Sequence, residues 1–156
     1  MAIAITLKDY LDSSGTHYDV VPHTYTTSSM EIAQAAHIPG DKLVKSVLLE
    51  DANGYVLAVI PATHHLDVRK ISQSLDRPLD LATEDKLGNI FTDCDLGAIP
   101  PVGDAYGLQV VMDESVKGCN EVYFEAGDHI ELIHMDNNAF MRLMNNAKVT
   151  HISHHI

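Results

Sequence analysis

The chain has 156 residues, with 10 Lys and Arg against 22 Asp and Glu and a formal net charge of −12. That length suits one compact domain, able to bury a core without help from a disulfide or metal, and no apolar run approaches the roughly 20 residues of a membrane-spanning helix. The acidity argues against a broad basic face tracking phosphate backbone, so any nucleic-acid contact is expected at a small site such as a single-stranded end.

In chain order, Met1 to Thr6 is apolar but short, has no basic region before it and does not read as a signal peptide. Thr6 is expected to cap a helix through about Ser14, with Leu7, Tyr10 and Leu11 on one face and Gly15 as the stop. His17 to His23 reads as a strand, and Pro22 suggests an edge or a strand end. Ser28-x-x-Glu31 is a capping-box pattern opening a helix with Ile32, Ala35 and Ala36, which ends before Pro39-Gly40. Val44 to Glu50 and Tyr55 to Ile60 form a hairpin across Asn53-Gly54. Leu66, Val68, Ile71 and Leu75 give a helical stripe with Asp67 as its cap, a short strand follows near Leu79 to Leu81, and another helix starts around Thr83. Asp93 to Gly107, rich in Gly and Pro, is expected to be a structured loop. Leu108 to Met112, Glu121 to Phe124 and His129 to His134 read as strands, and Asp136 caps a last helix with Phe140, Leu143 and Met144. Residues 148–156 read as a loose His-rich tail. The order is mixed, which predicts an α+β or mixed-sheet α/β fold in one domain over residues 1–156.

Three features carry chemistry. Lys45 lies in Val44-Lys45-Ser46-Val47-Leu48-Leu49, a strand apolar on both faces, and shares one face with Val47 and Leu49. It either reaches water past its apolar neighbours or opens onto a ligand cavity, since a lone ammonium facing a core is costly. Gly97-Ala98-Ile99-Pro100-Pro101 is stiff before any ligand arrives, because two prolines fix φ, while Gly97 permits close approach. It is either a rigid turn or a loop presenting backbone groups to a ligand. Glu125-Ala126-Gly127-Asp128-His129 delivers a histidine to a strand start, as a solvated polar residue or as a group that moves a proton near neutral pH.

Other candidates are weaker. His64-His65 are adjacent and diverge on a regular element, and His151, His154 and His155 lie in the terminal segment, with no H-E-x-x-H spacing to converge three ligands. Cys94 and Cys119 lie far apart with no C-x-x-C pair and read as free thiols rather than as the alternative, a disulfide between them, and Cys94 as a nucleophile would need a base beside it. No P-loop, dinucleotide or serine-hydrolase motif is present.

Taken together, these features resemble a known family. A short helix, a strand ending at His23, a capped helix and Lys45-Ser46-Val47-Leu48-Leu49 resemble the opening of the YbaK/prolyl-tRNA-synthetase-associated editing domain. Leu81-Ala82-Thr83-Glu84-Asp85, then Gly97-x-x-x-Pro101 and Gly127-Asp128-His129, resemble its central and later motifs, and the similarity runs from about Thr6 to Met144. Pro100 directly before Pro101 departs from the commoner loop pattern. The resemblance implies a compact mixed, mostly antiparallel sheet flanked by helices, and a cytoplasmic deacylase that hydrolyses the ester of a mischarged tRNA. It implies Lys45 on the phosphate of the terminal adenosine, and Gly97 to Pro101 around the ester and its attacking water. His129 is then expected to shape the aminoacyl pocket, with Ala98, Ile99, Pro100, Gly127 and His23 also on the substrate. The implied partner is the 3′ acceptor end of a mischarged tRNA, with an aminoacyl-tRNA synthetase as a further candidate, and neither membrane nor DNA. No metal, cofactor or covalent intermediate is expected. A catalytically silent binding module of the same fold, and an unrelated metal-dependent hydrolase, remain as other readings.

Overall fold

The computed structural model describes residues 3–23, 33–34, 36 and 38–155. Helix α1 (Ile5–Ser13) buries Leu7 and Leu11, one turn apart. Its start differs from expectation: Ala4 is the N-cap, and the backbone N–H of Thr6, one residue inside the helix, reaches Asp93 Oδ2 at 2.8 Å. A carboxylate from the loop after residue 91 thus does the capping expected of the Thr6 hydroxyl. Strand β1 (Asp19–Pro22) follows. The expected helix with Ser28, Glu31, Ile32 and Ala35 falls on residues outside those described.

The central hairpin is β2 (Leu43–Asp51) with β3 (Gly54–Pro61). Gly54 turns it at φ 138°, a conformation that favours glycine, and Asp51 Oδ1 accepts the N–H of Asn53 at 2.9 Å. Then come β4 (His64–Leu66), α2 (Val68–Leu75), β5 (Asp80–Leu81) and α3 (Glu84–Ile90). Asp67 caps α2 as expected, accepting the N–H of Lys70. A single 3-10 turn within the Gly- and Pro-rich loop precedes β6 (Gln109–Asp113), followed by β7 (Glu121–Glu125), β8 (Glu131–Asp136) and α4 (Asn137–Leu143), which Asp136 caps by accepting from Ala139 N.

The chain closes with β9 (Lys148–Thr150) and β10 (Ser153–His155), so the loose tail expected over 148–156 is corrected. β9 joins the main sheet parallel to β6, and β10 pairs antiparallel with β4. The reason is Asp113, itself buried: Oδ1 accepts the N–H groups of Ile152 and Ser153 at 2.9 and 3.0 Å, drawing a fully buried Ile152 into the core. β8 also starts later than expected, at Glu131. Asp128 Oδ1 accepts the N–H groups of Ile130 and Glu131, a turn that keeps His129 out of the ladder.

The sheet order is β1-β8-β7-β2-β3-β6-β9, with β5 also on β2. Pairing is antiparallel except at β2·β7, β3·β6 and β6·β9, giving the mixed, mostly antiparallel α+β fold expected. Alternation along the central strands fills both faces, as a sheet covered on both sides requires. Val44, Leu48, Leu57, Val59 and Met112 pack with Leu7, Phe124 and Phe140 on one face, whereas Leu49, Val56, Ala58, Ile60 and Val111 pack with Ile71 and Ile152 on the other. Burying each aromatic fully contributes roughly 2–3 kcal/mol.

Candidate functional site

Among the described residues, strand β2 has neighbours on its β7 side only at its two ends. Leu43 and Val44 pair with β7, Leu49 and Glu50 pair with β5, and the strand edge between them borders a gap. That gap is a cavity of about 300 Å³. Its described walls are Lys45 to Leu48 of β2, Leu81 and Ala82 beside β5, Leu87 of α3, Gly97 and Ile99 of the Gly-Pro loop, and Glu125 at the end of β7. Lys45 and the loop, 52 residues apart in sequence order from 45 to 97, thus meet across one opening.

The loop is held from behind. Asp95 N–H donates to Gly127 O at 2.8 Å, and Gly127 N–H donates to Ala98 O at 3.0 Å. His129 is buried and donates from Nε2 to Leu96 O at 2.8 Å. Gly97 sits at φ 84°, and a Cβ added there would lie 3.3 Å from His129 Cε1, so glycine and histidine fit back to back. Of the residues implied by the resemblance, Lys45, Gly97 and Ile99 line the cavity. His129 lies behind the loop, Ala98, Pro100 and Pro101 within it are buried, and Gly127 packs on Ala4. His23 follows β1, which β8 and β7 separate from β2, and its N–H donates to Ile130 O.

Two cavity residues were not singled out in the sequence. Ser46 Oγ and both carboxyl oxygens of Glu125 are buried without a hydrogen-bond partner among the described residues. Such orphaned groups, rare in folded proteins, are expected where a ligand completes them. Burial, and secondarily the charge of Asp128, pushes the Glu125 carboxyl up to about 8. Burial lowers the Lys45 ammonium, which makes no ion pair with a described residue. A cation, a carboxyl, a hydroxyl and a stiff backbone loop therefore surround an otherwise apolar opening. Only a weak signal marked Glu125: Val122 and Phe124 alternate into the core, which puts Tyr123 and Glu125 on the other face.

A larger depression, about 520 Å³, lies between Gly40–Lys42 and Gly118–Asn120. It is lined by none of the residues that the resemblance implies. No group of three or more His, Cys, Asp or Glu able to hold a metal occurs among the described residues. Burial pushes the Cys94 thiol up to about 12, which removes the thiolate a nucleophile needs. No helix among the described residues is long and apolar enough to cross a membrane.

Known proteins are similar to this chain in sequence and fold. Residues 22–143 match the family model of the aminoacyl-tRNA editing domain. The chain is 32% identical over 92 residues to the proline–tRNA ligase of Fervidobacterium nodosum, and 33% identical over 99 residues to that of Thermotoga neapolitana. These stretches are 58% and 63% of this chain but only 16% and 17% of the ligases' own length. A crystal structure described as a candidate trans-editing enzyme for prolyl tRNA synthetase superposes with a TM-score of 0.85 at 25% identity, covering 97% of this chain and 96% of that one. With the model spanning most of its length, the chain belongs to the aminoacyl-tRNA editing domain family.

Proposed function

We propose that this protein is a deacylase acting in trans, which hydrolyses the ester linking a small, wrongly attached amino acid such as Ala, Cys, Ser or Thr to a tRNA. The observation that carries the reading is the convergence of Lys45, the Gly97–Ile99 loop and orphaned polar groups on one cavity of about 300 Å³. Lys45 grips the phosphate of the terminal adenosine, a point contact compatible with the net charge of −12. The loop, held by backbone bonds to the 127 turn, presents its own backbone groups to the ester without an ordering cost. Water attacks the carbonyl, assisted by the vicinal ribose hydroxyl, and the loop stabilises the developing oxyanion. No protein nucleophile is required, in keeping with the protonated Cys94. The likeness to proline–tRNA ligases supports proline tRNA as the carrier and a synthetase as partner.

The test is loss of ester from a panel of mischarged tRNAs, beginning with Ala- and Cys-tRNA for proline, beside a Lys45→Ala variant. Hydrolysis by the wild type that disappears in the variant is the expected result. A folded wild type that hydrolyses none of the panel overturns the deacylase reading in favour of a binding module.

A further inference from the structure

Glu125 follows Phe124, whose parallel partner is Val44, so the register sets it beside Lys45 at the point where β7 and β2 part. The two side chains line the same cavity. Glu125 is only 6% exposed, yet neither of its oxygens has a hydrogen-bond partner among the described residues. Its charged surroundings do not compensate it. Lys45 forms no ion pair with it, and Asp128, of like sign, commits Oδ1 to the N–H groups of its own turn. A buried carboxyl left this way is costly unless a ligand meets it. The apolar contacts of β7 are made by Val122 and Phe124 on the opposite face and by Tyr123 on its own, and none of them uses the carboxyl.

The substrate class proposed above carries opposite charges a short distance apart: a phosphate on the terminal nucleotide and an ammonium on the α-carbon of the esterified amino acid. The cavity offers a cation, Lys45, and a carboxyl, Glu125, that ionises once a counter-charge meets it. Lys45 answers the phosphate and leaves the ammonium to be met. We infer that Glu125 recognises the α-ammonium of the bound aminoacyl group, which restricts the site to esters of amino acids whose amino group is free. The inference rests on the deacylase reading and adds its substrate determinant. An ammonium entering the cavity supplies both hydrogen-bond donors and the counter-charge that lets the carboxyl ionise. An N-acylated residue offers an uncharged amide and leaves the carboxyl unmatched. Burial keeps the proton on Glu125 up to about pH 8 in the empty cavity, so an acid waits there until a cation displaces that proton.

The experiment uses the whole chain and two uncleavable probes, 3′-(L-alanylamino)-3′-deoxyadenosine and its N-acetyl derivative, titrated calorimetrically against the wild type and Glu125→Gln. The glutamine keeps the shape of the neutral acid but cannot ionise. The wild type is expected to prefer the free amine by about tenfold or more, the range of a charge-assisted hydrogen bond, and the variant to bind both probes nearly alike. Thermal unfolding checks that the variant is folded, and Glu125→Met, similar in volume, repeats the comparison if it is not. A wild type without the preference, or a folded variant that retains it, overturns the inference; hydrolysis of mischarged tRNA by the same preparation then leaves the deacylase reading standing. A wild type that binds neither probe and hydrolyses no mischarged tRNA removes both together.

Discussion

The two ends of β2 treat charge in opposite ways. At its C-terminal end Asp51 takes both arms of the Arg77 guanidinium, Nε and Nη2 each at 2.7 Å, and Glu50 meets Lys86 of α3. At its other end Lys45 and Glu125 face one cavity, and neither makes an ion pair with a described residue. Bidentate pairing satisfies a carboxylate and ties the segment after α2 to the hairpin. Groups without such pairing tie no segments together. With the proposed function, the contrast separates groups that build the fold from groups kept for a ligand, and it predicts opposite responses to substitution.

The largest effect is expected at Lys45. Lys45→Ala should lower kcat/KM by about 100-fold or more, the scale of removing a preorganised electrostatic contact, while leaving the unfolding temperature unchanged or slightly higher. Deacylation and thermal unfolding measured on one preparation check this, and an early-melting variant would show that Lys45 belongs to the scaffold after all. Glu125→Gln should stabilise the free protein. Between pH 4.5 and about 8 the unfolded carboxyl loses its proton while the folded one keeps it, so wild-type stability falls as pH rises through that window. The variant's advantage should reach about 2–4 kcal/mol at pH 8 and vanish near pH 4, as denaturant titrations at the two pH values would reveal.

Smaller effects sharpen the same contrast. Gly97→Ala places a side chain at φ 84° and against His129, and should cost about 1–2 kcal/mol of stability and roughly tenfold in turnover. A variant of full activity would detach the loop from the chemistry. Asp51→Asn is expected to lower the unfolding temperature at neutral pH without touching turnover. Hydrogen bonding to Arg77 holds the Asp51 carboxyl at about 2 against an ordinary 3.8, so the pair's contribution is complete above pH 3.8 and is lost as pH falls through about 2. The gap between the wild type and this variant should close over that range.

Local chemistry made much of this molecule legible in its sequence. Asn53-Gly54 marked the hairpin, and Asp67 and Asp136 marked two helix starts, because turns and caps are decided within a few residues. Lys45 and the Gly97 loop were legible as chemistry, but their meeting was implied only by the family resemblance, since it depends on β7 and β5 leaving a gap on β2. The strands β4, β9 and β10 escaped for a related reason. Each is three residues long, and β10 owes its place to Asp113, about 40 residues away, while its own composition reads as polar tail. Glu125 was hidden because its significance lies in the partners it lacks, and a sequence does not display an absence.

The backbone latch behind the Gly97 loop has a consequence for how such a site diversifies. The bonds that hold it run mainly through the main chain of Asp95, Ala98 and Gly127, with the His129 ring grasping the carbonyl of Leu96. None of them uses the side chain of Leu96 or of Ile99. Leu96 is 47% exposed, and Ile99 forms part of the cavity wall. The side chain at position 99 is therefore able to reshape the cavity wall while the loop keeps its course. Under the proposed deacylase reading, changing the amino acid that is cleared requires no change of architecture.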